Sequence, residues 1–202
     1  MAIQQDQIKS TRRAAVIFDL DGTITKPYLD FDAIRAEIGI AKGPILEALS
    51  EMTGGAKKRA ECIMLRHEQE AADNASLHDG AAEVVKTIRE RGHPVGIVTR
   101  NSDQMVHQVL SKFGIVVDTV RSREFGAIKP SPEPVLSICA EFAAEPTQSW
   151  MIGDYLFDIL SGKRAGTKTV LMVGDGDRPA YAEQAGFVIT RLEEMLQLLT
   201  TG

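Results

Sequence analysis

Apolar and polar positions follow two rhythms along this chain. Short, nearly continuous apolar runs occur at Ala14–Phe18, Pro94–Val98, Ile115–Val120, Trp150–Ile152 and Thr169–Val173, and a weaker run at Phe187–Thr190 closes the series. Runs of this kind suit strands buried on both faces of a parallel sheet. Between them the spacing turns helical. Ala81–Arg91 places Val84, Val85 and Ile88 on one stripe before Gly92, and Ser102–Phe113 ends at Gly114. Glu133–Ala144 follows Pro130 and Pro132, and Leu192–Leu199 carries a last apolar stripe. Strands and helices alternating in this way predict an α/β fold, a doubly wound parallel sheet of Rossmann-like type.

One interval departs from that rhythm. Residues 26–77 carry no strand pattern and predict helices over Phe31–Ile38, Pro44–Met52 and Ala56–Ala72, punctuated by Gly39, Gly43 and Gly54–Gly55. An insertion of this size straight after the first strand predicts a small helical cap. The chain then divides into an α/β core, residues 1–25 and 78–202, and a cap, residues 26–77. The two crossings between them fall near Thr25–Pro27 and Leu77–Gly80.

Composition narrows the class of partner. The chain has 202 residues, enough for one full core, and a net charge of −5 with only 5% aromatic residues. An acidic, aromatic-poor chain lacks the basic face and stacking platform of a nucleic-acid binder. No apolar run approaches the ~18 residues of a membrane span. The polar stretch 1–13 does not read as a secretory signal. Cys62 and Cys139 are far apart and form no C-x-x-C pair, so a reducing cytoplasm is expected rather than a disulfide. No His pair has zinc-ligand spacing. The expected partner is a small molecule, and oligomeric state is not legible.

Four polar clusters each follow an apolar run: Asp19-Leu20-Asp21-Gly22-Thr23, Thr99-Arg100-Asn101, Lys129-Pro130, and Gly153-Asp154 with Asp158 beyond. In an open parallel sheet the carboxyl ends of the strands line one crevice, so residues 140 positions apart converge there. The crevice would hold carboxylates, a hydroxyl, an amide and a lysine, the set that metal-assisted phosphoryl transfer uses. Carboxylates hold Mg²⁺, a lysine and the cation offset charge on the phosphoryl group, and an ionised aspartate is a nucleophile. A second carboxyl two residues on can protonate the leaving oxygen and then activate water. Gly22 permits a sharp turn and leaves its N–H near the phosphate.

At these residues the sequence resembles the haloacid dehalogenase superfamily, in its capped, phosphoglycolate phosphatase-like branch. The four motifs stand here as DLDGT, VTRN, IKP and GDYLFD, and the resemblance runs from about Ala14 to Val188. It implies Asp19 as nucleophile and Mg²⁺ ligand, with Asp21 as general acid/base whose backbone carbonyl also ligates the metal. It further implies phosphate binding by Gly22, Thr99 and the Asn101 backbone, and orientation of nucleophile and phosphate by Lys129. Asp154 becomes the remaining metal ligand, supported by Asp158 from behind. The implied activity is a phosphatase acting on a small phosphorylated metabolite such as phosphoglycolate or a sugar phosphate. A phosphomutase would use the same aspartyl-phosphate chemistry, and a catalytically silent binding protein would keep the fold alone. Dehalogenation needs neither Mg²⁺ nor a proton for the departing halide, so Asp21 argues against it.

Other residues carry two readings. Arg100 is either a further phosphate ligand or a surface arginine. Lys57-Lys58-Arg59 with Arg66 and His67 either reach the far end of a substrate or form a solvated face, the second being favoured. Tyr28 and Phe31 read as packing inside the cap rather than shaping a lid. His93 and His107 read as structural, His78 as a neighbour of the cap exit, and Asp175-Gly176-Asp177 as a solvated turn. The test of the whole reading is geometric: Asp19 and Asp154 should share one cation. Since Mg–O bonds are only about 2 Å, carboxylates more than about 8 Å apart would defeat it.

Overall fold

The computed structural model describes residues 14–174, 176 and 178–201. Its centre is a six-stranded sheet with β1 Val16–Phe18, β2 Val95–Val98, β3 Thr119–Arg121, β4 Trp150–Gly153, β5 Lys168–Met172 and β6 Phe187–Ile189. The order is β3-β2-β1-β4-β5-β6, and every pairing is parallel. Val16 sits in register with Val95 on one side and Trp150 on the other. The α/β doubly wound fold expected from the apolar runs is therefore present.

Alternation along β1 explains the two layers. Val16 and Phe18 point into a core shared with α4 Ala81–Glu90 and α5 Asp103–Phe113, while Ala15 and Ile17 point into one shared with α6 Glu133–Glu141. The last helix, α8 Met195–Thr201, joins the first layer through Met195. A further helix, α7 Leu156–Ala165, packs against β4 and β5 on the second side. Its stripe is interrupted by Ser161 and Gly162, both fully buried, so the apolar periodicity that marks its neighbours is weak there.

Strand β3 is shorter than the run Ile115–Val120 suggested. Ile115 packs into the first core, and pairing with β2 starts only at Thr119. Asp118 makes the first bonds to β2. Its backbone N–H donates to Val95 O at 2.8 Å, its carboxylate accepts from Val95 N at 2.8 Å, and Arg89 reaches it at 2.8 Å. That Arg89 hydrogen bond outweighs partial burial and holds the Asp118 carboxyl below its ordinary value.

Between β1 and α4 lie three helices, α1 Phe31–Ile38, α2 Ile45–Glu51 and α3 Gly54–Asn74, and no strand. Asp30 caps α1, its Oδ1 accepting from the N–H groups of Asp32 and Ala33 at 3.0 and 2.9 Å. The Gly54–Gly55 pair, expected to separate helices, forms the first turn of α3. Ile34, Ile45, Leu49, Ala60 and Met64 give these helices a small core of their own. The two crossings to the sheet pair with each other: Thr25 bridges Leu77, Lys26 N donates to Ser76 O at 2.8 Å, and His78 N to Ile24 O at 3.0 Å.

Helix α7 lies close on the sheet at Gly162. A Cβ there would stand 2.7 Å from both Met151 Cβ and Thr169 Cγ2. Alanine is ordinarily better than glycine in a helix by about 1 kcal/mol. Overpacking costs about 1–3 kcal/mol, and neither neighbour is the far end of a flexible chain. Gly162→Ala should therefore lower stability in urea denaturation. A stabilised variant would show that α7 has room to shift.

Candidate active site

Strand order decides which polar clusters meet. β1 lies between β2 and β4, so the residues just beyond their carboxyl ends, Asp19, Thr99 and Asp154, stand side by side. The order also reverses at β1 and β4, the place where crevices form in open α/β sheets. Lys129 enters from the loop before α6, and Asp158 from the first turn of α7.

The centre is an ion triad. Lys129 Nζ lies 2.7 Å from Asp19 Oδ1 and 2.6 Å from Asp158 Oδ1, with only 2% of the lysine side chain exposed. Asp158 Oδ2 accepts from the Tyr155 N–H at 3.0 Å, so both of its oxygens are engaged. Asp19 Oδ1 also accepts from Leu20 N at 2.7 Å. Both recorded bonds of Asp19 fall on Oδ1, and Oδ2 keeps its lone pairs for an incoming electrophile or cation. Ligand oxygens of Asp19, Asp154 and Asp158 all lie within 4.8 Å of one another, well inside the distance expected for a shared cation.

Burial and crowding tune these groups. Desolvation raises the Asp19 carboxyl well above its ordinary value; Lys129 opposes the shift, while Asp158 and Asp154 add to it. Asp154 is pushed up to about 7, first by burial and then by the negative charge of Asp158. Burial alone would lower the Lys129 ammonium, yet Asp158 and Asp19 outweigh it and hold the lysine above its ordinary value. Asp21 is raised by burial, only partly offset by hydrogen bonds from Asn101 and Thr25. Thr25 Oγ1 donates to Asp21 Oδ1 at 3.1 Å, and Asn101 Nδ2 donates to Asp21 Oδ2. The Asn101 N–H donates to Thr99 Oγ1 at 3.2 Å, closing the turn after β2.

Gly22 is required twice over. Its φ of 78° lies in the left-handed region, and an added Cβ would stand 2.2 Å from Asp154 Oδ2. Thr23 Oγ1 donates to Asp154 Oδ1 at 3.2 Å, and Tyr181 OH to the Asp154 carbonyl at 3.1 Å.

These groups lie in a cavity of about 990 Å³ whose opposite wall comes from the helical insert. That wall includes Tyr28, Phe31, Arg35, Lys42, Ile45 and Met64. Tyr28 and Phe31 are therefore cavity residues, about half exposed, and not packing inside the insert. Lys57, Lys58, Arg59, Arg66 and His67 do not line it; Arg66 pairs with Glu37 and Glu70, as a solvated face would. Arg100 follows neither of its two readings. Its guanidinium pairs with Glu47 of α2 at 2.5 Å, donates to the Lys129 carbonyl, and lies over the Phe157 ring at 4.8 Å. It ties the insert to the sheet across the cavity.

Comparison with known proteins identifies the lineage. Residues 25–172 match the model of a family described as haloacid dehalogenase-like hydrolase. The chain belongs to that family. A haloacid dehalogenase-like hydrolase domain-containing protein of Arabidopsis thaliana is 31% identical over 95% of this chain and 86% of its own length. An N-acetylmuramic acid 6-phosphate phosphatase of Pseudomonas aeruginosa is 27% identical over 95% of this chain and 97% of its own. The crystal structure of a predicted phosphoglycolate phosphatase from Haemophilus somnus shares the fold, with a TM-score of 0.73 at 20% identity, covering 94% of this chain and 99% of that one.

The family match of this haloacid dehalogenase-like hydrolase begins at Thr25, just past Asp19 and Asp21. Arg35 and Lys42 carry no motif and Phe157 is an unremarked position inside GDYLFD; only the cavity collects these three, and Tyr181 reaches the site through the Asp154 carbonyl. His78 Nε2 lies 3.2 Å from the Gly22 carbonyl and His93 Nδ1 3.1 Å from the Ala14 carbonyl, structural places for both. Asp175 and Asp177 lie outside the described residues.

Crowded carboxylates leave a signature in stability. In metal-free protein the unfolded Asp154 loses its proton near pH 4, while the folded one holds it to about 7. Over that window the folded state binds more protons, so stability falls as pH rises from about 4 to 7. In chelator-containing buffer, Asp154→Asn should flatten the decline of Tm with pH, Asp19 maintaining part of it. Parallel Tm–pH curves for the two proteins would refute the electrostatic account.

Proposed function

We propose that this hydrolase is a Mg²⁺-dependent phosphatase that cleaves a small phosphorylated metabolite through a phospho-aspartyl intermediate on Asp19. The observation that carries the reading is a pair of carboxylates two residues apart with different surroundings. Asp19 is held in place by the Lys129 ammonium and has an oxygen to spare. Asp21 is kept above its ordinary pKa and hydrogen-bonded at both oxygens by Thr25 and Asn101. Burial raises both carboxyls, so the division of nucleophile from acid rests on their partners: the Lys129 cation on Asp19, and the neutral donors Thr25 and Asn101 on Asp21.

The donor set suits a hard divalent cation. Asp19 and Asp154 offer carboxylate oxygens, the Asp21 backbone carbonyl is assigned as a third ligand, and no soft sulfur donor intrudes among the described residues. Asp158, with both oxygens engaged, supports Lys129 rather than binding metal. When bound, Mg²⁺ supplies positive charge against the phosphoryl oxygens.

In the first step an Asp19 oxygen attacks phosphorus as the ester P–O bond breaks, and the Asp21 proton goes to the leaving oxygen. Lys129, Thr99, the Asn101 N–H and the Gly22 N–H receive the phosphoryl oxygens. In the second step the Asp21 carboxylate takes a proton from water, and the resulting oxygen displaces Asp19 to give inorganic phosphate. Residues 26–77 act as a cap that excludes water during attack and readmits it for hydrolysis.

Substrate choice is assigned to the cavity wall that the insert supplies, with Arg35 and Lys42 as its cations and Tyr28 and Phe31 as its rings. A sugar phosphate or phosphorylated acid fits this wall, in line with the relative named for N-acetylmuramic acid 6-phosphate. A second reading is a phosphomutase holding a bisphosphate, with Lys42 and the Asp32-paired Arg35 on the side of its second phosphate, which would isomerise substrate without releasing phosphate.

Asp19→Ala should abolish phosphate release across a panel of phosphomonoesters. Asp21→Asn should lose about 10²–10⁴ in rate through missing proton transfer while keeping a Mg²⁺-dependent rise in Tm, because its metal ligand is a backbone carbonyl. A nearly active Asp21→Asn would remove the acid/base assignment. Arg35→Gln and Lys42→Gln should change relative kcat/KM within the panel and leave Mg²⁺ dependence unaltered; a uniform profile would return specificity to the core.

A further inference from the structure

Glu68 has no role in the chemistry above, yet it is buried as completely as any charged group in the fold. Its side chain, on α3 of the insert, has 0% exposure and pairs with both terminal nitrogens of Arg123, at 2.5 and 3.1 Å. Burial outweighs that partner and lifts the Glu68 carboxyl above its ordinary value. An ion pair placed at such cost adds little stability, since well-packed apolar residues commonly serve as well. A geometric duty explains it better.

What the pair grips is the turn after β2. The Arg123 N–H donates to the Asn101 carbonyl at 2.9 Å, so the residue that holds Glu68 also holds Asn101. Ser102, next in the chain, lies close enough to the Glu68 carboxylate to favour its charged form. The buried Ser102 Oγ itself has no hydrogen-bond partner among the described residues. Glu124, beside Arg123, accepts from the Asp103 N–H at 2.9 Å. Upstream, the Asn101 side chain donates to Asp21 and its N–H to Thr99. A continuous path thus runs from α3 to the phosphate turn and on to Asp21.

We propose that Glu68 is a positioning residue for the Thr99–Ser102 turn, acting through Arg123, so that the phosphate site is fully formed only while α3 is docked on the sheet. The proposal rests on the phosphatase reading for its kinetic consequence and not for its structural one. It gives the insert a second task beside covering the cavity. Seated, it orders the N–H groups that face the phosphoryl oxygens; withdrawn, it loosens them.

Two variants separate positioning from mere support. Glu68→Gln leaves Arg123 with an uncharged partner, and the double variant Glu68→Met with Arg123→Met replaces the pair by apolar groups of similar length. The double variant is expected to keep a Tm near that of the natural chain, since the desolvated charges are gone together. Both should show faster amide hydrogen exchange at residues 99–103 with the rest of the sheet unchanged. In Mg²⁺ buffer both should bind inorganic phosphate about tenfold more weakly and raise KM for p-nitrophenyl phosphate more than they lower kcat. A double variant as stable as the natural chain, with unchanged exchange at 99–103 and unchanged phosphate affinity, would overturn the proposal. If the natural chain neither binds phosphate nor turns over phosphomonoesters, the phosphatase reading fails, and the exchange measurement still decides whether Glu68 holds the turn.

Discussion

The Lys129 ammonium, shut away from water between Asp19 and Asp158, is the interaction on which the site depends. A buried lysine without partners would lose its proton, and carboxylates crowded within 4.8 Å without a cation would take protons up. Each favours the charged form of the other, although burial still leaves the Asp19 carboxyl above its ordinary value. The triad joins three parts of the chain that share no sequence neighbourhood: the end of β1, the loop before α6 and the first turn of α7. Its geometry reaches into the backbone as well. A Cβ on Gly153 would stand 2.2 Å from Asp158 Cβ, so α7 can bring Asp158 under the lysine only because β4 ends in glycine. With Asp154 added, three carboxyl groups face one ammonium, an arrangement in line with the divalent cation proposed above.

The insert is tied to the sheet by contacts of different character. Its two crossings pair with each other through backbone hydrogen bonds beside Thr25 and Leu77. At the cavity, Glu47 meets Arg100 with 44% and 20% of their side chains exposed, a pair that water can replace at small cost. Farther along α3, Glu68 meets Arg123 with water excluded from the carboxylate. The exposed tie lies beside the chemistry and the buried one behind it.

Much of this molecule was legible from residue order. Unbroken apolar runs marked the strands because a strand with both faces covered has no polar side to show. The strandless interval marked the insert, and an aspartate-rich cluster after the first run marked the chemistry. Where local pattern failed, a tertiary contact had replaced a local rule. β3 is anchored from Asp118 onward, where the chain bonds to β2 and Arg89, partners remote in sequence. α7 gave little signal because its face toward the sheet uses Ser161 and Gly162, small residues chosen for close approach and not for hydrophobicity.

By itself the sequence determined the fold class, the insert and the identity of the polar residues that gather at the strand ends, since all three follow from local periodicity and residue chemistry. Only the tertiary structure decided their arrangement. The order β3-β2-β1-β4 sets Thr99, Asp19 and Asp154 side by side, and strand order is a property of long-range pairing that no window of residues contains. The same holds for the cavity wall. Lys57, Arg59 and Arg66 looked more prominent in sequence than Arg35 and Lys42, yet the second pair lines the cavity. Which face of a helix turns inward is fixed by where its apolar stripe finds a partner, here Ile34, Ile45 and Met64 closing on one another. A charged residue's direction follows from that packing and not from its own neighbours in the chain.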